Sequence, residues 1–335
     1  MNIPFSPRPP LLSQRWSSRG NPRPLLRRAW ATDRLLTLVG LAMLVTLAGT
    51  LVGLVVDHRV ITGVPAWLKP AKFAISISIY SFTFLWLLGY IQGHPRLVRL
   101  AAVVTAIGFV AEMVVIAGQV LRGTTSHFNL ATPLDGFLFE RMRDFIIAVF
   151  LMNLLAGILL LRQRLTDPVF ATALRLGLFI SLIGMGVAIL MVVPIPAQRP
   201  AFDAGFGGAH TIGLPDGGPG LPVVGWSTAG GDLRAPHFVG LHALQIMPLL
   251  GWLLSRRRFD ALGVRGRLAL VWTAGLTYLG LILILTWQAL RGQPLIHPDP
   301  TTLTALVLLA AAAALVVLAV IIRSQRRASP IPSAV

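Results

Sequence analysis

Eight stretches of the chain are each apolar over roughly the length needed to cross a lipid hydrocarbon core. Such a core is about 30 Å thick and takes about 20 helical residues at about 1.5 Å each. The stretches run 35–56, 73–91, 100–121, 145–161, 176–193, 238–254, 268–290 and 301–322. Inside lipid every backbone N–H and C=O must be satisfied within its own segment, so runs of this kind fold as helices. A mean hydropathy of +0.75 with only 12% charged residues leaves too little polar surface to cover a water-soluble globule. The expected fold is an all-α, polytopic helical membrane bundle of eight transmembrane helices.

Charge sets the expected orientation. The net charge of +17 would point to nucleic acid if it lay on one soluble face. It is instead distributed by side. With the N-terminus taken as cytoplasmic, 20 Lys and Arg residues fall on the inner side and 9 on the outer. That asymmetry predicts both termini in the cytoplasm and contact with anionic lipid at the cytoplasmic face, with no nucleic-acid partner. Residues 1–34, rich in Pro, Ser and Arg, read as a disordered basic tail, 35–322 as the membrane domain and 323–335 as a second cytoplasmic tail. The stretch 194–237 is too rich in Gly and Pro for a helix and reads as a long outer loop. The absence of cysteine excludes disulfides, thiolate metal sites and thiol catalysis. Together with the preference for Arg over Lys, it suggests a bacterial plasma membrane.

The only two lysines of the chain, Lys69 and Lys72, lie on the expected outer side, where positive charge is disfavoured. From Lys72 a polar stripe, Ser76 and Tyr80 at four-residue steps, descends one face of the second span. Both lysines are read as belonging to an outward-facing polar cavity, with a snorkelling anchor as the alternative for Lys69 and Trp67. Glu112 and Gln119 share a face of the third span, with Glu112 about 14 Å below its outer end. A carboxyl at that depth costs about 2.5 to 3.5 kcal/mol on insertion scales and needs a partner. The connection that follows, RGTTSHFN, adds Arg122, His127 and Asn129. The sixth span carries His242 and Gln245, and the seventh ends at Gln288 and Arg291 on the same side.

These residues predict an outward-facing polar cavity. In an enzyme acting on an amphipathic small molecule, Glu112, His242, His127 and Lys72 would carry acid–base chemistry and charge stabilisation. Ser76, Tyr80, Gln119, Arg122, Asn129, Gln245, Gln288 and Arg291 would line the binding space. A transporter or receptor would bind a small molecule in the same cavity, with Glu112 carrying a proton. A haem or divalent-metal protein would draw its ligands from His127, His237, His242 and Glu112. A scaffold without chemistry is the fourth reading. No metalloprotease, desaturase, nucleophile-elbow, phosphate-loop or dinucleotide-binding motif is present, so no nucleotide cofactor is expected. Gly49 and Gly53 form a GxxxG pair of the kind that supports close helix packing or a homodimer.

Overall fold

The computed structural model describes residues 23–193 and 195–328. Ten helices are found there: α1 Arg23–Thr32, α2 Arg34–Val56, α3 Leu68–Leu88, α4 Pro95–Leu121, α5 Pro133–Leu161, α6 Pro168–Val187, the short α7 Arg199–Asp203, α8 Arg234–Leu254, α9 Gly263–Leu290 and α10 Pro300–Ala328. Eight of them, α2 to α6 and α8 to α10, are long and apolar enough to cross a membrane. The chain is therefore an all-helical, multi-pass membrane protein in its architecture.

Local chemistry fixes where these helices start. Proline stands at the first turn of α4, α5 and α6, where its missing N–H costs nothing. Asp33 caps α2 by accepting from the Leu36 N–H at 2.9 Å, and Asp167 caps α6 by accepting from Val169 and Phe170. Thr132 caps α5, so this helix begins twelve residues before the expected apolar run at 145. Its first three turns, LDGFLFERMRD, are helical although half of them are polar. α3 likewise begins at Leu68 rather than 73, which brings both lysines onto its first two turns. Of the tail expected to be disordered, residues 1–22 lie outside the described region, whereas Arg23–Thr32 is helical. The tail from 323 continues α10 as far as Ala328, and 329–335 lie outside the described residues.

Two apolar cores organise the bundle. The first joins α2, α3, α4 and α5 around Leu36, Phe84, Leu87, Phe109 and Leu160, and takes in Phe170 and Leu174 of α6. The second joins α6, α8 and α9 around Ile180, Ala243, Met247 and Ile282. α6 and α8 touch backbone to backbone, since a Cβ on Gly184 would lie 2.5 Å from Gly240 Cα. α6 thus belongs to both cores and ties the halves together. Gly53 of the GxxxG pair packs against the chain's own Trp67, whose ring would lie 2.6 Å from an added Cβ, while Gly49 faces open space.

The connections alternate between two faces. Those after α3, α5 and α8 are short or tightly turned. The opposite face carries the hairpin β1–β2 (Val60–Ile61, Val64–Pro65), the loop 122–132, and the long connection from α6 to α8 with its ribbon β3–β4 (Thr211–Ile212, Gly231–Asp232). The functional candidates gather on this loop-rich face.

Candidate functional site

Three pieces of chain build the site, and each is held in place by its own polar contacts. The first is the start of α3, where Lys69 and Lys72 lie three residues apart and so share one helix face. The Trp67 indole N–H donates to Asp57 at 2.8 Å, and Arg59 pairs with the same carboxylate at 2.7 Å. This clasp fixes the chain where it enters α3.

The second piece is the loop 122–132, which dips back into the bundle after α4. Its neck is closed by Asp135, which accepts from Arg122 at 2.6 Å, from Gln119 at 2.8 Å and from Thr132 at 2.6 Å. Ser126, Phe128 and Asn129 are buried. Asn129 donates to Thr124 and Thr125 and accepts from the Ala131 N–H, each at 3.0 Å. Folding back in this way carries His127 inward to Glu112. His127 Nε2 lies 3.4 Å from Glu112 Oε1, and Ser126 Oγ lies 3.1 Å from His127 Nδ1. The intramembrane acid therefore has its partner, supplied by the loop that follows its own helix.

The third piece is the Gly-rich connection, seated on the second. The Gly207 N–H donates to the Phe128 carbonyl at 2.9 Å, and Phe128 has a φ of +59°. Gly208, at φ +154°, fits under that ring where a Cβ would lie 2.3 Å from the Met191 carbonyl oxygen. The seat positions His210. Its Nδ1 is 2.6 Å from Asp216 Oδ2, and Asp216 also accepts from the backbone N–H groups of His210 and Thr211. Further along, Lys72 Nζ donates to the Val224 carbonyl at 2.9 Å, and Arg234 donates to the next carbonyl, Gly225, at 2.6 Å. Arg234 is itself paired with the buried Asp232 at 2.6 Å.

The rings of His127 and His210 thereby come to face one another, centroids 6.4 Å apart, between Phe73 and Phe128. Lys69 lies among them, within electrostatic reach of Glu112, Arg234, Lys72 and Asp216. Burial first, and then the charges of Lys69 and His210, hold His127 well below the ordinary imidazole range. Burial also lowers His210, against the pull of Asp216. Burial opposes ionisation of Asp216, but His210 and the two backbone donors outweigh it and keep the carboxylate charged. Both imidazoles are therefore neutral at pH 7. His210 donates through Nδ1 to Asp216, which leaves its Nε2 with a free lone pair. The side chains of His127, His210 and Asp216 keep 23%, 19% and 22% of their surface exposed, so the site is reachable from the loop-rich face.

Glu112 and His127 thus come together, while Lys72 tethers the Gly-rich connection at Val224. Other expected members do not join. Ser76 is exposed between Ile75 and Ile79, because the buried face of α3 runs through Ala74, Ile77, Ser78 and Ser81. Tyr80 bonds to Asn153 of α5 inside the first core. Gln119 and Arg122 close the loop neck, and Asn129 shapes the loop itself. His242 is exposed, because the buried face of α8 is Gly240, Ala243, Leu244, Met247 and Gly251. Gln245 donates to Thr83 at 3.3 Å deeper in the bundle, with its Oε1 buried and unpartnered. Gln288 donates to the Pro294 carbonyl at 2.8 Å, and Arg291 pairs with Asp299 at 2.5 Å. The His237 ring bonds the Gly184 carbonyl at 2.8 Å. Of the four expected metal ligands only His127 and Glu112 come together, and no group of three His, Cys, Asp or Glu is arranged to hold a metal among the described residues.

His210 and Asp216 were not expected in the site, whereas Lys69 joins it as a cavity lysine rather than as an anchor. A histidine followed six residues later by an aspartate in a Gly- and Pro-rich loop is the one signal the sequence held for the dyad. Two open grooves at the surface lie away from these residues. One of about 510 Å³ runs between α5, α6 and α9 past Leu161, Arg175 and Trp272, and another of about 440 Å³ lies beside Pro300 and Leu308. No protein-family model, curated protein or solved structure matches the chain.

Proposed function

We propose that this chain is an enzyme of a bacterial plasma membrane, with both termini cytoplasmic, that performs acid–base chemistry on a small amphipathic molecule at its outer face. One observation carries the reading: two neutral imidazoles, each beside its own carboxylate, face each other at 6.4 Å. A histidine whose Nδ1–H is held by a carboxylate is oriented to take a proton at Nε2, and the carboxylate stabilises the imidazolium that results. His210 with Asp216 has that arrangement. His127 lies opposite, with Ser126 at one nitrogen and Glu112 at the other, so its ring can relay a proton between Glu112 and the Ser126 hydroxyl beside a bound molecule. Phe73 and Phe128 supply apolar walls, and Lys69 supplies positive charge where negative charge develops. The orientation is supported by the excess of Lys and Arg on the opposite face, and the bacterial setting by the lack of cysteine and the preference for Arg.

The test uses the full chain in lipid nanodiscs, incubated with lipid and water-soluble extracts of the producing cell and followed by untargeted mass spectrometry. Wild type is expected to consume at least one compound and form a new one, and His210→Gln and His127→Gln are expected not to. A compound that copurifies and is released unaltered by the wild type, and that enters proteoliposomes with it, would replace the enzyme with a transporter.

A further inference from the structure

Nothing described so far gives Lys69 a partner. Lys72 donates to Val224, and Arg234 is occupied by Asp232 and Gly225. Lys69 Nζ makes no hydrogen bond or ion pair among the described residues. Glu112, with a side chain only 3% exposed, has one oxygen beside His127 and the other, Oε2, buried without any partner. The two groups feel each other's charge but are too far apart for a direct ion pair. An unpartnered amine and an unpartnered carboxyl oxygen thus lie within electrostatic reach of one another, and the amine within reach of both imidazoles. The buried Glu112 oxygen is costly to leave unmet unless a ligand meets it, whereas the partly buried Lys69 amine is open to react.

An ammonium that only bound an anion would be poorly placed against a carboxyl group. A carbonyl compound suits the arrangement better, because it needs an amine to attack carbon and a nearby acid and base to move protons. We propose that Lys69 captures an aldehyde or ketone as an imine, with the carbonyl attached to an apolar body that lies against Phe73 and Phe128. This rests on the acid–base reading above and names its substrate class. The amine nitrogen bonds to the carbonyl carbon, and the carbonyl oxygen is protonated to a hydroxyl. The carbinolamine then loses that hydroxyl as water while the second N–H proton passes to a neighbouring base. No oxidant or reductant is needed, and one water is released per imine. Glu112, His127 and His210 are the groups within the site that can take and return those protons. A lysine suits this role and an arginine does not, since only the former presents a compact primary amine.

The chain makes the test direct, because it has only two lysines. Full-length protein in nanodiscs is incubated with hexanal and cyanoborohydride, with a lysine-containing peptide added as a reagent control, and the adducts are mapped by peptide mass spectrometry. Lys69 is expected to be modified about tenfold faster than Lys72, in keeping with an unoccupied amine beside a proton donor. Glu112→Gln is expected to slow the Lys69 adduct and leave Lys72 unchanged. Equal modification of the two lysines, preference for Lys72, or modification of the peptide alone overturns the proposal. If Lys69 stays unmodified while extract turnover depends on His127 and His210, the imine fails and the acid–base enzyme stands. If Lys69 is modified selectively but no extract compound is turned over, the imine stands and the enzyme reading fails.

Discussion

Lys72 and Arg234 hold two consecutive carbonyls, Val224 and Gly225, and so pin the Gly-rich connection to the bundle. A charged hydrogen bond of this kind contributes about 1.5 to 3 kcal/mol. Lys72→Met is expected to raise amide hydrogen exchange across 219–230 without unfolding the helices. Lys72→Arg is expected to restore it poorly, because a longer, planar guanidinium does not place a donor where the compact ammonium meets the Val224 carbonyl. The histidines give a second expectation. Unfolded imidazoles take up protons near the ordinary value of 6.5, whereas folded His127 and His210 resist protonation to lower pH. Below that value the unfolded state binds more protons, so stability is lost as pH falls. The slope is at most about 1.4 kcal/mol per pH unit for each histidine. Melting temperatures measured from pH 7.5 to 5 should fall, and the fall should be shallower in His127→Gln with His210→Gln. Glu112 and His127 were legible because a membrane acid needs a partner and a polar loop follows its helix. His242 and Ser76 sit at the expected depth and spacing but on the exposed faces of their helices, which spacing along one helix does not distinguish from the packed face. The small residues Gly240, Ala243 and Gly251 already marked the packed face of α8, and His242 is not on it. The dyad of His210 and Asp216 was not legible, since its geometry depends on how a nonrepetitive loop seats on Phe128.

At the scale of elements, the crossing of α6 and α8 depends on two glycines. A Cβ on Gly184 would lie 2.5 Å from Gly240 Cα, with backbone on both sides and no side chain to move aside. Gly184→Val is expected to destabilise the bundle by about 1 to 3 kcal/mol through overpacking, read as a lowered melting temperature. The change also shifts the Gly184 carbonyl that His237 bonds. Gly186→Ala, two residues on and with nothing near its added Cβ, is the expected neutral comparison. The number of spanning helices was legible because apolar length is a strong signal. Their ends were less so. α5 starts twelve residues before its apolar run because Thr132 caps the helix and Pro133 opens it. α3 starts five residues before the expected 73, which puts Lys69 on the helix, three residues from Lys72 and on the same face.

The whole molecule is two packed groups of helices joined through α6, with the long connections folded over one face. The absence of cysteine makes its orientation simple to test. Single substitutions Ala229→Cys, on the loop-rich face, and Arg258→Cys, on the other, both lie at exposed positions. In intact cells a membrane-impermeant maleimide is expected to label the first alone. Labelling of the second alone would reverse the orientation and move the proposed chemistry to the cytoplasmic side.

The last helix stands apart in this architecture. α10 buries none of the most apolar part of its length and rests on α9, with Thr302 and Asp299 fastening its start to Gln293 and Arg291. None of the residues that build the site lies on it. A chain ending after Leu290 would cross the bilayer an odd number of times, so its final residue would emerge in the same compartment as Lys69 and the paired histidines. The terminal helix therefore acts as a parity switch: it decides which compartment any fused protein occupies, and it leaves the site as it was.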